Sequence, residues 1–261
     1  MLFYQLTGFM GASEDDTIAC KAPHLPDPST ASLLLDFDGT LVEIADRPDG
    51  IVVTDKVRHL LRHASERLEG RVALVSGRSI EDLQRFLPDF DGPLIGTHGA
   101  EMRIDGERTE TEKIDHSTVS RLIRLAEDFG ALRPEFLVER KPSGVVLHYR
   151  QAEDHAALAL RFMESLAMAA DGFRLQPALM AYELKPENIG KDVALRKLLA
   201  MPPFAGTTPV FIGDDLTDEP ALDLVQEMGG FGIKIGEAET VARHRLADPS
   251  GLIGCLEEWL G

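Results

Sequence analysis

Ser32-Leu33-Leu34-Leu35-Asp36-Phe37-Asp38-Gly39-Thr40-Leu41 decides how this chain is read. Its first half is a continuous apolar run of strand length, the composition of a strand buried on both faces of a parallel sheet. Its second half sets two carboxylates two residues apart, directly where the strand ends. Along a strand such residues point to opposite faces. Gly39 lets the chain bend, so both acids can turn toward one place. In a doubly wound sheet that place is the crevice beyond the C-terminal strand ends, where ligands bind. An acidic pair there suits a hard cation such as Mg²⁺, which takes carboxylate, carbonyl and water oxygens. One carboxylate can then act as nucleophile and the other as proton donor.

Working outward, three more stations stand at strand ends or helix starts. Ser76-Gly77-Arg78 follows the apolar run Val72–Val75, and a hydroxyl with adjacent backbone N–H groups can hold phosphoryl oxygens. Lys191 opens a helical stretch and can neutralise both a phosphate and Asp36. Gly213-Asp214-Asp215-Leu216-Thr217-Asp218-Glu219 follows the strand Pro209–Ile212 and suits completion of a cation site. Between the stations the pattern alternates strand and helix. Thr54 caps a helix carrying Val57, Leu60, Leu61, Ala64 and Leu68, and Ile80, Leu83 and Phe86 give a short helix stopped by Pro88. Leu94 begins a third strand; Val193–Leu199, Leu222–Met228 and Leu252–Leu260 read as helices and Phe231–Ile235 as a strand. The fold class is α/β: a doubly wound parallel sheet core over 31–105 and 186–261, with an inserted α+β domain over 106–185.

Inside that insertion the rhythm is helix–strand–strand, twice. Ser117–Phe129 and Ala156–Ala170 are helical by period; Phe136–Glu139 and Val145–Tyr149 form a hairpin across Lys141-Pro142-Ser143-Gly144, and Phe173–Gln176 and Met180–Leu184 form a second pair. Glu139, Lys141, His148 and Arg150 in the first hairpin, with Glu183 and Lys185 at the end of the last strand, mix acids and bases in a way that can bind a sugar's hydroxyls, or can be an ordinary solvated strand face.

The four stations, in this order over about residues 32–235, resemble the haloacid dehalogenase-like phosphohydrolases. The resemblance implies attack of Asp36 on phosphorus to give an aspartyl-phosphate. Asp38 would protonate the leaving sugar oxygen and then activate water, while Ser76 and Lys191 hold the phosphoryl group. It also implies Mg²⁺ held by Asp36, the backbone carbonyl of Asp38, and Asp214, with Asp215 or Asp218 around them. By the same resemblance the core is Rossmann-like, and the insertion at 106–185, between the Ser and Lys stations, is a cap domain of the C2 type. Further segments resemble the trehalose-6-phosphate phosphatases: Ile44 and Pro48 after the first motif, Ser76-Gly77-Arg78, Gly96-Thr97-His98-Gly99-Ala100-Glu101, the run Glu139 to Arg150, Glu183 to Pro186, and Gly213 to Glu219. That resemblance implies substrate contacts from Glu139, Lys141, Arg150, Glu183 and Lys185. The chain departs from the family at Glu43, where proline is usual, and at Asp192, where glycine follows the lysine. Other capped sugar-phosphate phosphatases (of the sucrose-phosphate or mannosyl-3-phosphoglycerate kind), a phospho-accepting receiver and an inactive regulatory module are the alternatives. Asp38 speaks against a receiver, because it would help hydrolyse the phospho-aspartate.

Composition sets outer bounds. The 261 residues carry 44 Asp and Glu against 27 Lys and Arg, a net charge of −17, which disfavours nucleic acid and anionic membranes as partners. A small sugar phosphate is compatible, provided local cations meet it. Cys20 and Cys255 have no spacing partner for a metal site and suit a reducing compartment. With no leader pattern and no membrane-length apolar run, a cytoplasmic monomer is expected. Residues 1–30, rich in glycine, proline and acids, read as a loosely ordered extension.

Overall fold

The computed structural model describes residues 24–44, 50–110, 115–141, 143–178 and 180–261. Residues 1–23, including Cys20, and also Pro48 and Pro142, lie outside the described residues.

The larger sheet has eight strands: β1 (Ala31–Leu35), β2 (Val72–Val75), β3 (Leu94–Gly96), β4 (Glu101–Ile104), β5 (Glu107–Glu110), β10 (Thr208–Gly213), β11 (Phe231–Ile235) and β12 (His244–Leu246). The four strands between β5 and β10 build the insertion. The spatial order is β12-β11-β10-β1-β2-β3-β4-β5. From β12 to β3 every pairing is parallel; β3–β4 and β4–β5 are antiparallel. The expected parallel sheet thus runs from β12 to β3 and carries an antiparallel hairpin, β4–β5, at one edge. Glu101–Ile104 and Glu107–Glu110 escaped the sequence pattern because an edge hairpin needs no continuous apolar run. β5 also falls within the segment assigned to the insertion, yet it pairs into this sheet.

β1 is buried along its whole length because alternate residues face two cores. Leu33 and Leu35 pack with helices α1 (Asp55–Arg67), α2 (Ile80–Phe86) and α7 (Pro249–Leu260). Leu34 packs on the other face with α5 (Lys191–Leu198) and α6 (Glu219–Glu227). Each buried leucine contributes about 2 kcal/mol. The chain leaves β1 toward β2 and β3 on one side and returns as β10 on the other. The switch point thus lies between β1 and β10, where Asp36 and Asp214 stand.

Residues 24–30, expected to be loose, are instead fastened to this layer. Leu25 belongs to the core, Trp259 donates its indole N–H to the Pro26 carbonyl at 2.6 Å, and Arg71 binds the carbonyls of Pro28, Ser29 and Ala31.

The insertion holds α3 (His116–Leu132), β6 (Leu137–Lys141), β7 (Gly144–His148), α4 (Ala156–Met168), β8 (Phe173–Ala178) and β9 (Ala181–Pro186). Its sheet is antiparallel in the order β6-β7-β9-β8. Val145, Leu147 and Leu184 face α3 and α4, joined by Phe173 and Met163. The opposite face is set by register. One row runs Lys141, Gly144, Lys185, Arg174, and the next runs Glu139, Val146, Glu183, Gln176. A side chain at Gly144 would collide with the Leu184 carbonyl, so glycine permits the close approach of β7 to β9.

Candidate active site

Three adjacent parallel strands deliver the site. Asp36 follows β1, Ser76 follows β2 and Asp214 follows β10, so strand order alone sets them side by side. Gly39 has φ 74°, and any β-carbon there would collide with the Asp214 carboxylate. Both facts demand glycine in the first motif. Thr40 then donates to Asp214 Oδ1 at 3.2 Å. Gly213 has an equivalent steric role, since a β-carbon there would strike Asp218.

Asp36, Asp214 and Asp218 each offer a carboxylate oxygen within 4.8 Å of the others. Lys191 Nζ joins them, 2.7 Å from Asp36 Oδ1 and 2.6 Å from Asp218 Oδ1. Asp36, Asp218 and Lys191 are all buried. Burial, opposed by Lys191 but reinforced by Asp218 and Asp214, raises the pKa of Asp36 well above the usual carboxylate range. Asp214 is raised by burial and by Asp218. Burial works against the Lys191 ammonium, but Asp218 and Asp36 outweigh it and lift its pKa. Three carboxylates thus crowd at one ammonium that pairs with two of them, an imbalance that a divalent cation would correct. The donor set, all carboxylate oxygen, fits a hard cation.

Asp38 stands apart from that cluster. Arg78 clamps it in a two-pronged pair, Nε to Oδ2 at 2.7 Å and Nη2 to Oδ1 at 2.8 Å. Asp215 is likewise elsewhere: its side chain caps the short turn Leu216–Asp218, while its own N–H donates to Asp218 Oδ2 at 3.0 Å. The structure gathers the side chains of Asp36, Asp214 and Asp218; of the two alternatives Asp215 and Asp218 it is Asp218 that joins them, and Asp38 was expected to contribute its backbone carbonyl alone. Ser76 is fully buried, its hydroxyl accepting from the Arg78 N–H at 3.1 Å, which fixes the Ser76-Gly77-Arg78 turn. Asp36, Asp38, Gly77, Arg78, His98, Lys191, Asp214, Asp215 and Thr217 line one cleft with Ile44 and Ile51.

The insertion contributes the polar face described above. Lys141 approaches Glu183 at 3.4 Å, and His148 meets Glu139 at 2.8 Å. Lys185 is buried, and burial with Arg174 and Lys141 as neighbours lowers its pKa to about 8 despite Glu183 and Asp192. Arg150 lies beyond β7 on an exposed turn, outside the rows. Arg174 and Gln176 belong to the same face but escaped sequence reading: the two-residue alternation of Phe173–Ala178 sets them on one side of their strand without saying which strand lies beside it. Arg174 also ties the insertion's sheet to the start of α5, 3.5 Å from Asp192 and 3.4 Å from the Ile189 carbonyl. The departure at Asp192 thus places an acid against the insertion, one residue past Lys191.

The fold is one that haloacid dehalogenase-like hydrolases share, with an acidic crevice at the switch point of its sheet. A haloacid dehalogenase-like hydrolase from B. subtilis shares the fold with a TM-score of 0.65 at 16% identity, over 87% of this chain and 99% of that one. Residues 34–250 match the profile of the family described as Trehalose-phosphatase, and the chain belongs to that family of phosphoric monoester hydrolases. Trehalose-6-phosphate phosphatase of Escherichia coli (strain K12) is 34% identical over 212 residues, 81% of this chain and 80% of its own length. A probable trehalose-phosphate phosphatase of Sinorhizobium fredii is 34% identical over 210 residues, covering 78% and 77%. Among the described residues no helix is long and apolar enough to cross a membrane.

Proposed function

We propose that the chain hydrolyses trehalose 6-phosphate to trehalose and phosphate in two displacements. An Asp36 oxygen attacks phosphorus, the bond to the sugar oxygen breaks, and Asp38 gives that oxygen its proton. Asp38 then takes a proton from the water that attacks the aspartyl-phosphate, which returns Asp36 and frees phosphate. Phosphoryl transfer needs alignment and charge neutralisation above all. Lys191 supplies part of the charge, and the Ser76-Gly77-Arg78 turn positions the phosphoryl oxygens. Arg78 holds Asp38 apart from the buried acids, and this pair opens for an Asp38 oxygen to carry the proton. Mg²⁺, held by Asp36, Asp214 and Asp218 with the Asp38 carbonyl and Asp215 nearby, would supply further neutralisation of the phosphoryl oxygens. The cap over the cleft excludes water and offers Glu139, Lys141, His148, Arg150, Glu183 and Lys185 to the disaccharide. The reaction suits a cytoplasmic monomer acting on a small polar substrate.

The observation that carries this reading is the pairing of the buried Asp36–Lys191–Asp218 group with a cap face whose strand register aligns two acids with two lysines. Phosphate release from trehalose 6-phosphate, sucrose 6-phosphate and glucose 6-phosphate, with Mg²⁺ and with chelator, tests it. Trehalose 6-phosphate with Mg²⁺ should be hydrolysed fastest. A flat profile across the three esters would refute the substrate, and full activity in chelator would refute the metal.

A further inference from the structure

Thr97, His98 and Gly99 form a short turn with three consecutive left-handed residues, φ 49°, 54° and 100°. Only the glycine adopts such a backbone freely. The turn is nevertheless tied down from several sides. The Thr97 N–H donates to the Arg78 carbonyl at 2.7 Å, and the His98 N–H to the Ser76 carbonyl at 3.0 Å. Glu101 accepts from the Thr97 hydroxyl at 2.8 Å and from the Ile80 N–H at 2.9 Å, and it also pairs with Arg108. Gly99 touches the carbonyl of Gly190 so closely that no side chain would fit. The turn is therefore a wedge between the Ser76-Gly77-Arg78 loop and the start of α5, where Lys191 stands.

What the wedge presents is the His98 ring. It lies against Gly77, where a β-carbon would come within 2.5 Å of His98 Cε1. It lines the cleft with Asp36 and Asp38. Burial, together with the charges of Lys191, Lys141 and Lys185, lowers its pKa to about 3 and so favours the neutral imidazole. Those lysines come from both halves of the molecule and place the ring where core and cap meet. Its Nδ1 is buried with no hydrogen-bond partner among the described residues. A buried N–H left unpaired is rarer than an unpaired acceptor, which puts the proton on Nε2 and makes that atom the ring's donor. Lysines already supply charge to the phosphoryl side. A neutral donor at the junction suits a hydroxyl or ether oxygen instead.

We propose that His98 is a specificity-determining residue that binds the sugar half of the substrate, meeting an oxygen of the leaving group where the phosphate stations and the cap join. This rests on the sugar-phosphate reading above. The test compares kcat/KM for trehalose 6-phosphate and for p-nitrophenyl phosphate in the wild type, His98→Gly and His98→Asn. Glycine keeps the left-handed backbone without strain and removes only the ring; asparagine tolerates that backbone and restores a donor. His98→Gly should lose about 50-fold on the sugar phosphate and less than about 3-fold on the aryl ester, with His98→Asn recovering most of the difference. Equal losses on both esters, or none on the sugar phosphate, would overturn the assignment. A wild type that prefers a different sugar phosphate would overturn the substrate reading alone, and the comparison would then be made with that ester.

Discussion

The core and the cap both use alternating acids and bases, and they hold them differently. In the core, Asp36, Asp218 and Lys191 are buried and bonded at 2.6–2.7 Å, and they come from segments far apart in the chain. In the cap, Glu139 and His148 are partly exposed on neighbouring strands, and Lys141 of β6 reaches past β7 to meet Glu183 of β9 at 3.4 Å. Buried interlocked charge cannot relax, so the core is preorganised for one reaction. Charges on a half-open sheet can exchange partners, which is what selecting a particular sugar requires.

The sharpest way to break that contrast is at the nucleophile. Asp36→Asn should lower phosphate release by about 10⁴-fold or more. Melting temperature should stay level or rise, because the substitution removes one of three crowded carboxylates and leaves Lys191 paired with Asp218. A large drop in melting temperature would mean that the cluster holds the fold rather than serving chemistry.

Next comes Asp38→Asn, with a loss of about 10²–10⁴-fold in kcat from removed proton transfer. Here the arginine clamp is at stake too, since Arg78 loses its ionic partner. A variant that kept full kcat would show that Asp38 is structural.

Cap substitutions should be milder and selective. Lys185→Ala is expected to lower kcat/KM about 10–100-fold for trehalose 6-phosphate and hardly at all for p-nitrophenyl phosphate. Equal losses would remove Lys185 from the sugar site.

The contrast also explains what sequence could reveal. Asp36, Asp38 and Asp214 were legible because a strand end fixes where a residue lies before any side chain is placed. The helices α1 and α2 were legible through Thr54 and apolar spacing, with Thr54 accepting from the Val57 N–H as expected. Arg174 and Gln176 were not, because their place beside Lys185 and Glu183 depends on which strand pairs with β9, and alternation on one strand is silent about its neighbour. His98 was quoted within Gly96–Glu101 but given no role: its position follows from a left-handed turn packed on Gly77, a tertiary fact. The docking of residues 24–30 depends on Trp259, more than two hundred residues away.

The smallest effects, and the finest test of how core and cap communicate, concern pH. The Lys185 ammonium, with its pKa lowered to about 8, should give kcat/KM for trehalose 6-phosphate an alkaline limb near that pH, since proton loss removes the charge that meets the substrate. Stability should move the other way. The unfolded lysine holds its proton to higher pH, so between about 8 and 10.5 the unfolded state binds more protons and this group favours folding as pH rises. Asp192 raises the Lys185 pKa and Arg174 lowers it, and the two face each other across the junction at 3.5 Å. Asp192→Asn should therefore shift the limb to lower pH and Arg174→Gln to higher pH, with the double variant returning toward the wild type. Each single change should alter melting temperature only slightly, as a partly exposed pair is worth about 0–1 kcal/mol. Shifts of the same sign in both single variants would mean that the pair acts by moving the cap, and not through its field at Lys185.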